Sequence, residues 1–292
     1  MIRILEDNVI NRIAAGEVVE RPAAVVKELV ENSLDAGATE VQVSLRAGGT
    51  ELIQVVDNGT GMRRQDAALC VERHATSKIR SFEDLELAGT LGFRGEALPS
   101  ISSVSRFSLS TRRREDEVGT LVEMDGGRLL GVRDDGGPPG TRITVRTLFF
   151  NVPARRKFLR TVSTELAHCL EAVRRQVLMR PELDIEVRHD GRTLLRSPRT
   201  EDPRARLVDI LGNDAAELIP VDFVEDELRC LGFIAPVGVH RNSALGASYH
   251  HVNGRFVRDP LLRRAIAEAY RGLVPKGRHP MVVLDVRIPR DA

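Results

Sequence analysis

The feature that most constrains the fold is a series of short strand-like runs separated by glycines. In the first half of the chain these runs are VQVSL (41–45), ELIQVVD (51–57), RFSLSTR (106–112), GTLVEM (119–124) and TRITVRTLF (141–149). Gly-Gly pairs stand between several of them, at 48–49, 126–127 and 136–137. Apolar and β-branched runs joined by tight turns predict antiparallel strands.

Two segments with helical periodicity accompany these strands. The first runs from Val25 to about Gly37, with Pro22 suited to the first turn and Gly37 to the left-handed position after a helix end. The second runs from about Ser163 to Met179 and stops before Pro181. Helices around an antiparallel sheet predict an α+β layer structure.

The polar, proline-containing segment 191–206 is the predicted domain boundary, and we place a first domain at 1–203 and a second at 204–292. Strand-like runs follow at 230–237, 248–257 and 281–288. A helix opens at Asp259–Pro260, where Asp is suited to the N-cap and Pro to the first turn. The second domain is therefore expected to be a smaller α+β domain.

Composition excludes several classes of protein. The 292 residues carry a formal net charge of +1, which identifies no partner, and the low aromatic content of 4% argues against aromatic stacking on single strands. No apolar run approaches the roughly 18 residues of a membrane span. The N-terminus lacks the apolar core of a signal peptide, and the three cysteines are far apart in sequence. These features predict a cytoplasmic protein with reduced thiols.

The first helix carries a polar stripe made of three carboxylates and one carboxamide. At about 100° per residue, one arc of the helix holds Glu28, Glu31, Asn32 and Asp35. One interpretation is a solvated face in which Lys27 pairs with Glu31 at i,i+4. The other is a site for a hard cation such as Mg²⁺, beside a carboxylate that deprotonates water.

Two glycine-containing motifs are further candidates. DNGTGM (57–62) follows a strand and is either a hairpin turn or a site where Asp57 accepts a hydrogen bond from the amine of adenine, with Gly59 and Gly61 allowing a flat base to approach. GTLGFRGEALPS (89–100) is either a surface loop or a phosphate-binding loop before a helix. The P-loop pattern G-x-x-x-x-G-K-[ST] is absent from the sequence.

The order of ELVENSLDAGA (28–38), DNGTGM (57–62), HATSK (74–78) and GFRGEAL (92–98) closely resembles the MutL mismatch-repair family. That family belongs to the wider GHKL group, which contains gyrase B, the Hsp90 chaperones and histidine kinases. The segments NRIAAGEVVERPAAVVKEL (11–29) and NVPARRKFL (151–159) narrow the resemblance to the MutL branch. In the second domain it is carried mainly by VNGRFVRD (252–259).

The resemblance implies a Bergerat-type ATP-binding α/β sandwich, followed by a domain similar to domain 2 of ribosomal protein S5. Glu28 would be the general base, Asn32 would coordinate Mg²⁺ on the triphosphate, and Asp57 would contact adenine. Gly59 and Gly61 would lie beneath the base and Thr141 would support the pocket. The lid over the phosphates would comprise Thr76, Ser77, Lys78, Gly92, Phe93, Arg94, Gly95, Glu96, Ala97 and Leu98.

The resemblance also implies a slow ATPase whose N-terminal regions dimerise with ATP. The implied partners are a second copy of the chain, a MutS-type mismatch recognition protein and DNA, with a helicase, a nuclease or a sliding clamp as further candidates. The family continues past its last strand with N-V-H-P-x-K, so we expect a fragment that lacks this Lys and a C-terminal dimerisation domain. The alternative is a nucleotide-operated DNA-clamp scaffold with little or no hydrolysis by this fragment.

Two basic segments are candidates for sequence-independent DNA contact. Residues 142–180 contain nine Arg or Lys and two acids, and residues 255–278 contain seven and two. Such segments are typical of phosphate contact without base readout, and also of solvated helix faces. The candidate residues are Arg155, Arg156, Lys157, Arg160, Arg258, Arg263 and Arg264.

Overall fold

A computed structural model describes residues 18–72, 75, 95–243 and 246–289. Contacts divide the chain into two compact units, and the chain passes between them more than once. The first unit comprises the chain up to Val173 together with Leu183–Pro198. The second unit comprises Arg174–Glu182 and the chain from Arg199 onward. The final passage falls at 198–199, and the division into domains after residue 203 stays a prediction.

Among the described residues, eight strands form the sheet of the first unit: β1 Glu40–Arg46, β2 Leu52–Asp57, β3 Arg106–Arg112, β4 Gly119–Asp125, β5 Arg128–Asp135, β6 Gly140–Arg146, β7 Asp184–His189 and β8 Arg192–Ser197. In spatial order they run β5-β4-β3-β6-β2-β1-β7-β8. Neighbours are antiparallel apart from β1 and β7, which are parallel. The predicted mixed α+β class with a largely antiparallel sheet is confirmed.

The sequence did not predict strands β5, β7 and β8. β8 lies inside the segment 191–206, which the sequence predicts as a domain boundary, and the last change of unit along the chain, at 198–199, falls in the same segment. The sequence did not predict β8 as a strand because it lies at the sheet edge, where Leu194 is exposed and Leu195 is buried. A strand with one solvated side needs few apolar residues and resembles a linker in sequence.

The first helix, α1 (Pro22–Asp35), packs against β2 through the apolar side chains Val25, Val26, Leu29 and Val30, which are at most 1% exposed. It begins after Arg21, whose backbone is extended, with Pro22 in the first turn. It ends before Gly37, which has a φ of +69°. The other described helices that begin in the first unit are α2 Arg64–Leu69, α3 Ala97–Ser103, α4 Pro153–Phe158 and α5 Val162–Val177, whose residues after Val173 belong to the second unit.

The described elements of the second unit are α6 Pro203–Leu211, β9 Ile219–Glu225, β10 Leu228–Ile234, β11 His240–Arg241, β12 Ser248–Val252, β13 Arg255–Val257, α7 Pro260–Ala269, β14 His279–Pro280 and β15 Val282–Arg287. Its strands form a five-stranded sheet in the order β13-β12-β15-β10-β9 and a short β11–β14 ladder. The run 248–257, predicted as strand-like, is a hairpin that turns at Asn253 and Gly254, both with positive φ. Asp259 caps α7 by accepting from Leu262 N, at the position where the sequence placed a cap.

Candidate functional site

The site is built where α1 crosses the carboxyl end of β2. Because α1 buries its apolar face on the sheet, Glu28, Asn32 and Asp35 on its polar stripe are left partly exposed. Ser33, one residue after Asn32, is 3% exposed and faces the last residue of β2, Asp57. The hydroxyl group of Ser33 donates a hydrogen bond to Asp57 Oδ2, with 2.8 Å between the two oxygen atoms.

Asp57 is held by hydrogen bonds from three different segments of the chain. Besides Ser33, the backbone N–H of Gly59 donates to Oδ1 at 2.9 Å, and the backbone N–H of Thr141 donates to the carboxyl group. Burial raises the pKa of Asp57 above its ordinary value, and these three hydrogen bonds oppose the rise. The result is a fixed, partly buried carboxyl group whose donors favour the ionised form.

The two glycines of DNGTGM are required by contacts within the chain. Gly61 has a φ of +67°, and a Cβ there would lie 2.2 Å from Arg112 O. A Cβ at Gly59 would lie 2.9 Å from both Cβ and O of Ala36 at the end of α1. The glycines therefore allow this loop to lie against β3 and α1, and their proposed place beneath a base stays a prediction.

Thr141 lies directly opposite Asp57 in the β2–β6 ladder, so the two side chains share one face of the sheet. Thr111 on β3 connects it to the glycine loop. The Thr111 hydroxyl oxygen is 3.1 Å from Thr141 Oγ1, and it accepts from Met62 N at 3.0 Å. The structure thus brings Asp57, Gly59, Gly61 and Thr141 together.

Lys27 interacts with two carboxylates of α1. Its Nζ lies 3.1 Å from Glu31 Oε2, which confirms the predicted i,i+4 pair, and 2.8 Å from Glu28 Oε1. Lys27 therefore also contacts Glu28, the next residue of the chain, although the two are not at i,i+4 spacing. Burial is the main cause that raises the pKa of Glu31; the Glu28 and Asp35 carboxylates also raise it, and Lys27 opposes them.

Of the predicted lid, only Gly95, Glu96, Ala97 and Leu98 lie among the described residues. Gly95 has a φ of +63°, and α3 starts at Ala97, as predicted for a helix after the glycine-rich loop. The six others, Thr76, Ser77, Lys78, Gly92, Phe93 and Arg94, lie outside the described residues. Their phosphate contacts stay predictions.

The candidate DNA-binding residues have different surroundings. Arg155 on α4 is partly buried, and its guanidinium donates to Val19 O at 2.7 Å, which gives it a structural role. Arg156, Lys157 and Arg160 are exposed, as are Arg258, Arg263 and Arg264 in the second unit. DNA contact by any of them stays a prediction.

Sequence reasoning missed Ser33 and Thr111, which hold the site in place. Ser33 lies among apolar residues on the buried face of the helix, and Thr111 lies within the strand-like run 106–112. A hydroxyl on an otherwise apolar face is the signal that could have found Ser33, since a buried hydroxyl needs a polar partner. For Thr111 that signal is weaker, because threonine is common in strands.

In the part of the chain that the structure describes, no group of three or more His, Cys, Asp or Glu is arranged to hold a metal ion. None of the described helices is both long and apolar enough to cross a membrane. All three cysteines are free thiols, and burial raises the pKa of Cys70 and Cys169 to about 12.

Two family profiles match the chain. Residues 20–125 match the histidine kinase-, DNA gyrase B- and HSP90-like ATPases. Residues 207–292 match the C-terminal domain of a DNA mismatch repair protein family. The first match contains α1, Asp57 and the two loop glycines, so it covers most of the site described above.

Curated relatives match almost the whole chain. The MutL of Trichlorobacter lovleyi is 50% identical over 288 residues, covering 99% of this chain and 48% of that protein. The MutL of Opitutus terrae is 52% identical over 281 residues, covering 96% and 45%. The chain therefore spans about half the length of the curated relatives it matches.

Solved structures share the fold. The Aquifex aeolicus MutL ATPase domain complexed with ADP has a TM-score of 0.68 and 32% identity, with 93% of each chain covered. The N-terminal domain of a DNA repair protein has a TM-score of 0.83 and 26% identity, with 97% of this chain and 87% of that chain covered. These likenesses extend over nearly the whole of the chain.

Proposed function

Because the chain belongs to the MutL family, we propose that it is the ATP-operated part of a DNA mismatch repair protein. In this proposal, ATP binding and slow hydrolysis drive dimerisation of the N-terminal regions and recruitment of repair partners. The main support is the similarity to a relative named as an ATPase domain in complex with ADP. The intact protein would act in the cytoplasm.

The observation that carries nucleotide binding is the fixed carboxyl group of Asp57. Three donors hold it at the end of β2, and a carboxylate has acceptor capacity for further hydrogen bonds. An exocyclic amine such as that of adenine is the matching donor. Asp57 would therefore bind the base, with Thr141 beside it, and Gly92 to Leu98 with Thr76, Ser77 and Lys78 would hold the phosphates.

Asn32 would hold the Mg²⁺ ion that accompanies ATP. The described residues contain no cluster of three potential ligands, which fits an ion that takes most of its ligands from phosphate and water. Asn32 provides an amide oxygen on the same helix as Glu28, within the polar stripe of α1. When bound, the metal would neutralise charge on the phosphate oxygens.

Glu28 would orient the attacking water and take its proton. Its side chain is 25% exposed, so water can reach it, and it lies one turn of helix before Asn32. Lys27 competes for Oε1 at 2.8 Å. Hydrolysis would therefore proceed through the other oxygen, or after the lysine moves to Glu31 alone.

The test compares two single variants. Glu28→Ala should bind ATP as the wild type does and lose turnover, whereas Asn32→Ala should lose Mg²⁺-dependent ATP binding. Calorimetry measures the affinity and phosphate release measures the turnover. Glu51→Ala, which removes an exposed acid outside the site, is the control and should leave both values unchanged. Normal hydrolysis by Glu28→Ala would refute the assigned base.

A second function, a nucleotide-operated DNA-clamp scaffold with little hydrolysis, is favoured by the Lys27–Glu28 ion pair. In that case ATP closes the dimer around DNA because it binds the closed state better, and turnover is negligible. Binding of an ATP analogue, coupled to a mass measurement, separates dimerisation from hydrolysis. The partners in either case would be DNA, a MutS-type mismatch recognition protein, and a helicase, nuclease or sliding clamp.

A further inference from the structure

Thr111 is a buried hydroxyl residue next to the proposed nucleotide site, where it pairs with Thr141 across the β3–β6 ladder. It lies on β3, is 2% exposed, and has three polar neighbours. Its Oγ1 lies 3.0 Å from Met62 N, 3.1 Å from Gly140 O and 3.1 Å from Thr141 Oγ1. The hydroxyl thus joins the glycine loop to the start of β6.

The number of available protons limits how these contacts can form. Met62 N can only donate to Thr111, and the carbonyl oxygen of Gly140 can only accept from it. Thr111 has one hydroxyl proton. All three contacts are therefore hydrogen bonds at the same time only if Thr111 donates to Gly140 O and Thr141 donates to Thr111.

This assignment determines what Thr141 presents to a ligand. Its single proton is directed at Thr111, so its oxygen offers only lone pairs on the side of Asp57. The Asp57 carboxyl group, held by three donors, is also an acceptor. The two side chains are cross-strand neighbours on one face of the sheet. Together they form a pair of acceptors in which neither oxygen donates.

We propose that Thr111 is a positioning residue that fixes the Thr141 hydroxyl as an acceptor and thereby makes the site select a base with an exocyclic amine over one with a carbonyl group at the same place. This inference rests on the proposed function. An amine brings two N–H donors to the two acceptors. A carbonyl oxygen would face two acceptors and leave the lone pairs that both partly buried groups direct at the ligand without a donor, which is strongly unfavourable.

The experiment measures the dissociation constants of the β,γ-imido analogues of ATP and ITP, whose bases differ in the 6-amine and the 6-carbonyl. Wild-type protein should prefer the adenine nucleotide, by about 100-fold or more. Thr111→Val removes the acceptor of the Thr141 proton and frees that hydroxyl to rotate and donate. We expect the ratio of the two constants to narrow by about threefold to tenfold, the effect of one neutral hydrogen bond.

Two further variants separate positioning from folding. Thr111→Ser keeps the hydroxyl and should keep the wild-type ratio. Thr141→Val removes the hydroxyl group that Thr111 orients. It should narrow the ratio of the two dissociation constants and leave the contacts of Thr111 with Met62 and Gly140 in place. In the Thr141→Val background, Thr111→Val should not change the ratio further, because there is no hydroxyl left to orient.

The outcomes are distinct. If Thr111→Val weakens the binding of both nucleotides equally, Thr111 has only a structural role. That result overturns the inference and leaves the proposed function standing. If Thr111→Val does not fold, an unchanged ratio in Thr141→Val overturns it in the same way. If the wild-type protein binds neither nucleotide, both the proposed function and this inference fail.

Discussion

The hydroxyl oxygen of Ser33 lies 2.8 Å from Oδ2 of Asp57, although the two residues are 24 positions apart in sequence. This hydrogen bond joins α1, which carries Glu28 and Asn32, to the end of β2. The groups proposed to act on the phosphates and the group proposed to bind the base are therefore fixed relative to each other before any ligand arrives.

Ser33→Ala should lower the free energy of unfolding by about 1–3 kcal/mol, because it leaves a partly buried carboxylate oxygen of Asp57 without its Ser33 donor. It should also raise the pKa of Asp57 further, since the lost hydrogen bond favours the ionised form. Urea denaturation measures the first effect. Ser163→Ala, at an exposed serine on α5, is the control. Equal losses in the two variants would contradict the role of Ser33.

Compared with the wild type, the Glu31→Gln variant should gain more stability at neutral pH than at acid pH. The folded-state pKa of Glu31 lies above its ordinary value of 4.5, so the wild type loses stability as pH rises from about 4.5 through the folded-state value. Glutamine has no charge to bury and avoids that loss. Below pH 4.5 the carboxyl group is protonated in both states and the pH-dependent advantage disappears.

The measurement for Glu31 is thermal unfolding of wild type and variant between pH 4 and pH 8. Glu51→Gln is the control, since its side chain is exposed and its curve should follow that of the wild type. A stability difference between Glu31→Gln and wild type that does not change with pH would show that the burial of this carboxylate has no cost.

Gly61→Ala and Gly37→Ala form a matched pair, because their φ angles are +67° and +69°. A Cβ added at Gly37 would have nothing within 4 Å, so alanine there should cost only the backbone strain, about 1–2 kcal/mol. At Gly61 the Cβ would lie 2.2 Å from Arg112 O, and the loop or β3 must move. Chemical denaturation should show a clearly larger loss for Gly61→Ala, together with weaker nucleotide binding.

Arg156→Ala should weaken DNA binding with little change in stability, because Arg156 is exposed on α4. If it contacts a phosphate, the slope of log affinity against log salt should fall by about 1. Arg155→Ala should instead lower stability by about 1 kcal/mol, since its bond to Val19 O is lost. DNA affinity of the wild type that does not vary with salt would rule out both segments as phosphate contacts.

Much of the site region could be predicted from the sequence because its signals are local. The periodicity of α1, the strand that ends at Asp57 and the turn glycines each depend on neighbouring residues. The parallel pairing of β1 with β7 could not be predicted, since it joins segments far apart in sequence and nothing within either segment specifies the partner. Strand β8 was missed because an edge strand has only one side to bury.

The hydrogen-bond network of the site was the other part that sequence did not supply. The i,i+4 pattern predicts only the Lys27–Glu31 pair, yet the long lysine side chain also reaches Glu28, the next residue along the helix. Thr111 and Thr141 are a cross-strand pair in the β3–β6 ladder, so their contact depends on a register that only the assembled sheet sets.

The parallel pairing of β1 with β7 has a consequence for how the chain is made. On the ribosome, β1 can pair with β2 as soon as both have emerged, but its other edge has no native neighbour until residues 184–189 follow. Until then an apolar strand edge is open to pairing with other nascent chains. Translation that stalls before residue 184 should therefore yield an aggregation-prone product, even though α1 and the end of β2 have already been synthesised.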